Sequence, residues 1–326
     1  MSYILRRLVF YLIAAWASIT LNFFIPRWMP GDPGSALQAR MGRQGNLRPE
    51  QIEAMMKAYG LSDDPLIIQY FDYVKNIFRG EFGVSIMNFP TPVSEVLLSA
   101  SKWTALLMGS ALIISFVIGT LLGIIASWRR GSWMDNVTPP FFVFLGSLPY
   151  YWIAPVLVFA FAFQWQIFPA RHSYNIDYSP GWTWGYISSL FVHMALPLLS
   201  LVIVSVGGWL LGMRNTMIMV LSEDYVTMAD AKGLSGRDVM MRYGARNAML
   251  PTLTSFGMAF GFLISGSLFT ELIFAYPGMG FVLINAVRNS DYPLMQGAFL
   301  MITLAVLAAN LVVDLLYVRL DPRIRN

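Results

Sequence analysis

Side chains able to do chemistry are few in this chain, and they are scattered. There is no cysteine and there are two histidines, His172 and His193, which excludes disulfides, thiolate metal sites and thiol nucleophiles. His193 sits in an apolar run near Pro197 with no second imidazole or carboxylate close in sequence. That context reads as a hydrogen-bonded packing residue rather than a metal ligand or proton relay. No H-E-x-x-H, no G-x-S-x-G elbow and no G-x-x-x-x-G-K-[ST] phosphate loop occurs, so neither a hydrolase nor an ATPase is encoded in recognisable form. The chain is expected to be no enzyme and to bind no metal or cofactor of its own.

The densest group of charged, small and capping residues lies in the loop 213–250, which reads MRNTMIMVLSEDYVTMADAKGLSGRDVMMRYGARNAML. Ser222 can cap a helix whose first turn holds Glu223 and Asp224, with Lys232 in its last turn and Gly233 at the left-handed terminating position. Ser235, with Asp238 three residues on, can open a second helix that runs to about Arg246 before Pro251. Two readings of this hairpin stay open. Its apolar side chains could rest on lipid or neighbouring helices, or the small residues Ala229, Ala231 and Gly233 could let it seat in a partner's groove.

The elements that must position this hairpin are apolar. Hydrophobic residues make up 56% of the 326 residues and charged ones 12%, about half the charged share of a soluble domain, and the mean hydropathy is +0.57. Six uncharged stretches, 8–26, 103–128, 136–165, 184–213, 249–270 and 292–313, are near or above the ~20 residues that cross a bilayer as a helix. The third contains Pro139, Pro140, Pro149 and Pro155, which predicts a turn or interfacial piece and then a kinked span. Arg6-Arg7 followed by Ala15-Trp16-Ala17 has features of a cleavable leader, yet the apolar run continues to Ile25, long enough to stay as a span.

Basic residues set the expected orientation. Arg6, Arg7, Arg129, Arg130, Arg214, Lys232, Arg237, Arg242, Arg246, Arg319, Arg323 and Arg325 fall on one side, against Arg171 and Arg288 in the short loops of the other. The first side is therefore cytoplasmic, with both termini on it. No basic cluster exceeds two adjacent residues, so the net charge of +4 reads as topology rather than nucleic-acid binding. The expected division is 1–30 as the N-terminal end and first span, 31–101 as an extracytoplasmic segment with two short amphipathic helices between Pro49 and Phe78, and 102–326 as a core of five spans. The tryptophans Trp103, Trp128, Trp152, Trp165, Trp182 and Trp184 lie near span ends, as an aromatic belt would.

The string DYVTMADAKGLSGRDVMMRYGARNAMLP resembles the EAA-type loop of ABC importer permeases, in the form used by the dipeptide/oligopeptide/nickel permease family. Ala229, Gly233 and Pro251 fall on its small and proline positions. Thr227 and Met228 replace the leading glutamate and alanine of the generic motif. Pro30-Gly31-Asp32-Pro33, the Gly80–Ser85 stretch, Arg129–Trp133, Tyr276–Gly280, Asp291-Tyr292-Pro293 with Gln296-Gly297, and Asp321-Pro322-Arg323 follow in that family's order.

The resemblance implies an all-α, polytopic fold of six transmembrane helices, the type I ABC importer permease fold, in a bacterial or archaeal inner membrane. It also implies a second homologous permease subunit, two ABC ATPase subunits that use ATP and Mg, and an extracytoplasmic solute-binding protein, with no nucleic acid. Asp224, Tyr225, Ala229, Ala231, Lys232, Gly233, Leu234, Arg246 and Asn247 would couple to the ATPases. Glu271, Tyr276, Pro277 and Gly278 are candidates for an outer gate or docking site, although for Glu271 a structural role at the interface is the favoured reading. Peptides or oligosaccharides are the implied cargo. An ion-gradient-driven secondary transporter is the alternative, but it would place ionisable groups at mid-bilayer, where only His193 lies.

Overall fold

The structure is a computed structural model that describes residues 3–28, 64–260, 263 and 267–320. The expected landmarks 30–33 and 321–323, and the first of the two short amphipathic helices, lie outside these residues. In order, the elements are α1 Tyr3–Trp28, α2 Leu66–Arg79, α3 Val93–Trp128, α4 Trp133–Ser147, α5 Tyr150–Leu157 with a π-helical extension Val158–Gln164, and α6 Trp184–Leu221. After these come α7 Asp224–Ala231, α8 Gly236–Asp238, a π-helical turn Val239–Ala245, α9 Arg246–Phe260, α10 Leu268–Ile273, α11 Met279–Arg288 and α12 Tyr292–Leu320.

The expected count of six spans is not reproduced. Four helices among the described residues are long and apolar enough to cross a membrane, and a fifth span arises if the bent pair α4 and α5 counts as one. That pair turns by 95°, and the turn is written in the sequence. Leu148 precedes Pro149 and takes an extended ψ of 134°, because a following proline ring disfavours the helical region. Of the expected fifth span, 249–270, the described part comprises α9 to Phe260, Leu263 and the start of α10.

Contacts sort the elements into two compact units. The first contains α1, α2, the start of α3, α11 and α12. Its core joins Val93, Leu97 and Ala100 of α3 to Met279, Leu283 and Ala286 of α11 and to Leu294, Met295 and Ala298 of α12. Thr104 Oγ1 accepts a 2.8 Å bond from the Met279 amide, satisfying one of the open donors at the start of α11. Asp314 on α12 accepts from Tyr11 at 2.6 Å and pairs with Arg7 at 2.8 Å, so its partner is a basic residue of α1. At the far end of α1, Arg27 lies 3.6 Å over the Phe23 ring and donates to Gln69 of α2 at 3.0 Å. Burial brings its pKa down to about 10, so it remains charged at neutral pH.

The second unit contains the rest of α3 and nearly all of α4 to α10. Helices in lipid gain little from hydrophobic burial and associate where small residues admit close backbone approach. α3 does this with Gly119-x-x-x-Gly123. A Cβ on Gly119 would meet Trp209 Cβ at 2.5 Å and the Val206 carbonyl at 2.7 Å, and one on Gly123 would meet the Leu210 carbonyl at 2.7 Å. Gly207 of α6 similarly admits the Phe142 carbonyl of α4 to 2.6 Å from its missing Cβ.

Gly119→Ala and Gly123→Ala are each expected to destabilise the protein by about 1–3 kcal/mol, the usual cost of overpacking. Gly208→Ala, which meets nothing within 4 Å, serves as the control. Melting temperatures in detergent that fall for the first two variants and hold for the third would verify the crossing.

Candidate functional site

α6 runs 38 residues and ends in the loop singled out by sequence. Ser222 closes α6 rather than opening the next helix: its hydroxyl donates to the Met219 carbonyl at 2.7 Å, and Glu223 takes the N-cap place of α7. Lys232 ends α7, and Gly233 follows at φ +72°, a conformation that a side chain would strain. Ser235 accepts from the Asp238 amide at 3.1 Å and donates to the Asp238 carboxylate at 2.7 Å, so the second start signal holds. The following chain is not a plain α-helix bounded at Pro251. It passes through the π-helical turn Val239–Ala245 into α9, and Pro251 lies inside α9.

The underside of the hairpin is held by its own chain. Val226, Ala229 and Val239 are buried together, with Trp128, Leu221 and Tyr243 packed around them. Next to them Ile124, Met213, Met217, Ala245 and Ala248 form a second cluster that shares Trp128 and Leu221. Ala229 therefore faces inward, not toward a partner, and its small size lets α7 approach the ends of α3 and α6. Gly244 has the same use: a Cβ there would lie 3.1 Å from both Leu221 and Met217 side chains. Trp128 thus wedges the loop where its sequence position suggested an aromatic belt.

The upper face is open. Asp224, Tyr225, Ala231, Lys232, Gly233, Leu234, Arg246 and Asn247 are exposed, and the structure brings Tyr225 and Asn247 together across the hairpin. The Asn247 amide donates to the Tyr225 hydroxyl at 3.1 Å and to the Tyr243 carbonyl at 2.9 Å. Met228 at 60%, Tyr225 at 40% and Leu234 at 37% exposure are large apolar side chains standing among charged ones.

A part-buried ion pair braces the neighbouring helix ends, and sequence reading missed it because its members are far apart in the chain. Arg214 Nε donates to Asp135 Oδ1 at 2.6 Å, and the Asp135 side chain is only 5% exposed. The Gly131 amide donates to its other oxygen at 3.0 Å, and Ser132 caps α4. The α3–α4 turn is thereby pinned to α6 about two turns before the hairpin begins.

The outer candidates separate. Glu271 and Tyr276 are fully buried. The Tyr276 amide donates to the Glu271 carbonyl at 2.8 Å, and burial together with the Glu271 charge pushes the Tyr276 phenol above its ordinary range. Pro277 is half-buried and Gly278 buried, and Gly278 is the N-cap residue of α11. His193 Nδ1 lies 2.8 Å from the Ser189 carbonyl one turn back, the packing role expected of it. No group of His, Asp or Glu able to hold a metal is found among the described residues.

Residues 119–326 match the family described as the binding-protein-dependent transport system inner membrane component. The chain is 32% identical to a probable peptide ABC transporter permease protein of Sinorhizobium fredii, over 99% of both chains. It is also 32% identical to the dipeptide transport system permease protein DppB of Escherichia coli, over 100% of this chain and 99% of that one. The oligopeptide transport system permease protein OppB of Haemophilus influenzae is again 32% identical, with 100% and 99% coverage.

Removing one charge of a part-buried pair leaves the other poorly compensated and costs about 1–3 kcal/mol, so Asp135→Asn should lower the melting temperature in detergent. The double variant Asp135→Leu with Arg214→Met should recover most of the loss. A single variant that melts like the wild type would remove the brace.

Proposed function

The chain belongs to the family of binding-protein-dependent transport system inner membrane components, and from that premise we propose that it forms half of the translocation pathway of an ATP-driven peptide importer. Family membership gives it the all-α type I ABC importer permease fold, a multi-pass place in the inner membrane, and the status of a permease subunit rather than an enzyme.

The single observation that carries the proposal is the division of the 222–247 hairpin into a buried underside and an open apolar face. A loop whose lower surface is clamped onto α3 and α6 moves with those helices, and its upper face is free to seat in another protein. The proposed occupants are two ABC ATPase subunits, which bind the ATP and Mg that this chain has no phosphate loop to hold. Asp224, Tyr225, Ala231, Lys232, Gly233, Leu234, Arg246 and Asn247 are proposed as contact and shaping residues, with Met228 added and Ala229 as a buried spacer. Closure and opening of the ATPases would rock this permease against a second homologous permease subunit, exposing the pathway to each side in turn.

The basic residues support both termini and the hairpin lying in the cytoplasm. On that orientation 31–101 and the α10–α11 region would lie outside, where a solute-binding protein would deliver cargo. The relatives carry peptide, dipeptide and oligopeptide names, which favours short peptides as the cargo over oligosaccharides. Division at about 30 and 101, with the core after it, remains the proposed organisation along the chain.

Proteoliposomes containing both permeases and both ATPases are expected to accumulate radiolabelled dipeptide only with ATP and the binding protein. Met228→Asp and Gly233→Asp should abolish ATPase co-purification and uptake while membrane insertion is retained. The melting temperature of Met228→Asp should match the wild type. Normal uptake by both variants would refute the coupling assignment, and uptake driven by an ion gradient without ATP would refute the proposed function.

A further inference from the structure

One carboxylate shapes the turn between α2 and α3. Asp291 is fully buried. Its Oδ2 accepts from Ser85 Oγ at 2.7 Å and from the Met87 amide at 2.9 Å, and Oδ1 accepts from the Leu294 amide at the start of α12 at 3.2 Å. Ser85 Oγ in turn holds the Asn88 amide and side chain at 3.1 and 3.2 Å. The segment 85–88 is therefore a fixed wall rather than a loose loop.

Against this wall lies an open cavity of about 470 Å³, flanked by the first turns of α3 and by α11, with Glu95 and Ser99 exposed at its rim. The volume suits a small ligand, since such sites run from roughly 300 to 1,000 Å³. Val96, Phe281 and Leu294 give it an apolar face, and Glu95, Ser99 and Asn285 supply polar groups. The side chains of those three make no hydrogen bond among the described residues. A carboxylate, a hydroxyl and an amide left open around one apolar hollow form a donor and acceptor set without a ligand. No Lys or Arg lines the cavity, so the set suits a cation and disfavours carboxylate or phosphate ends.

We propose that this cavity receives the protonated amino end of a short peptide. Glu95 binds the ammonium group, Asn285 and Ser99 bind the adjoining peptide unit, and Phe281 with Val96 and Leu294 receives the first side chain. Glu95 is the lone acidic residue in the lining, and a carboxylate at the rim of an otherwise uncharged hollow attracts an ammonium group by a charge-assisted hydrogen bond. A sugar would call for several paired hydroxyl contacts and a broad stacking face, whereas this lining offers one aromatic ring. The proposal rests on the peptide-import reading and names where that cargo is first held by this chain.

The test uses the full assembly in lipid nanodiscs without binding protein, and measures equilibrium binding of alanyl-phenylalanine and of its N-acetyl form. Saturable binding is expected to the wild type, weakened roughly tenfold or more by N-acetylation, by Glu95→Gln and by Asn285→Ala, as for loss of a charge-assisted contact or its neighbour. Equal affinity for the acetylated peptide, unchanged binding by Glu95→Gln, or absence of saturable binding overturns the proposal. So does a result in which Glu95→Lys blocks attachment of the binding protein while peptide binding is untouched, which would make the cavity a protein-docking pocket. Wild-type uptake in proteoliposomes is measured in parallel. Its failure would sink the importer reading, whereas normal uptake with no effect at Glu95 would sink the cavity assignment alone.

Discussion

Two helices in lipid can touch closely only where side chains are missing, and the contact of α3 with α6 is built on that constraint. Gly119 and Gly123 leave no room for a Cβ against Trp209, Val206 and Leu210. This crossing sets how the lower ends of the two helices meet, and so where Trp128 and Leu221 stand. Those two side chains belong to both clusters that hold the hairpin. The hairpin is thus an extension of the crossing: moving α3 against α6 would pull the underside of α7 apart, so force applied to the open face passes to both long helices together.

Two of the buried carboxylates, Asp135 and Asp291, are satisfied by different means. Asp135 has an arginine as well as a backbone amide, and the pair ties two helix ends that would otherwise depend on apolar contact alone. Asp291 is satisfied by a hydroxyl and two backbone amides, so it can order a turn without a counter-charge. A pair demands that both helices keep their places, because either charge left alone is costly to bury. A carboxylate held by local amides shapes only the segment it touches.

Much of this was legible in the sequence where the signal is local. The left-handed Gly233, the Ser235 cap and the bend near Pro149 each follow from one or two neighbouring residues, and the structure contains all three. Ser222 was misjudged because serine caps either end of a break, and the chain between α6 and α7 is too short to tell which. Small size marked Ala229, but direction did not: alanine suits a buried underside as well as a partner's groove, and only the three-dimensional position of Trp128 decides. Asp135 and Arg214 are 79 residues apart, a separation at which pairing leaves no periodic trace. Asp314 and Arg7 are further apart still, 307 positions between residues 7 and 314.

The π-helical turn after α8 shows why the hairpin does not read as two simple helices. A regular α-helix from Gly236 onward would carry each later side chain round by about 100° per residue, and the wider π turn resets that register once. The reset lets Val239 face the α7 underside with Val226 and Ala229 while Ala245 and Ala248 face Met213 and Met217. One continuous backbone thereby serves two clusters whose directions differ. Asn247 is left on the open side within reach of Tyr225, so the same irregularity that seats the hairpin also composes its exposed face.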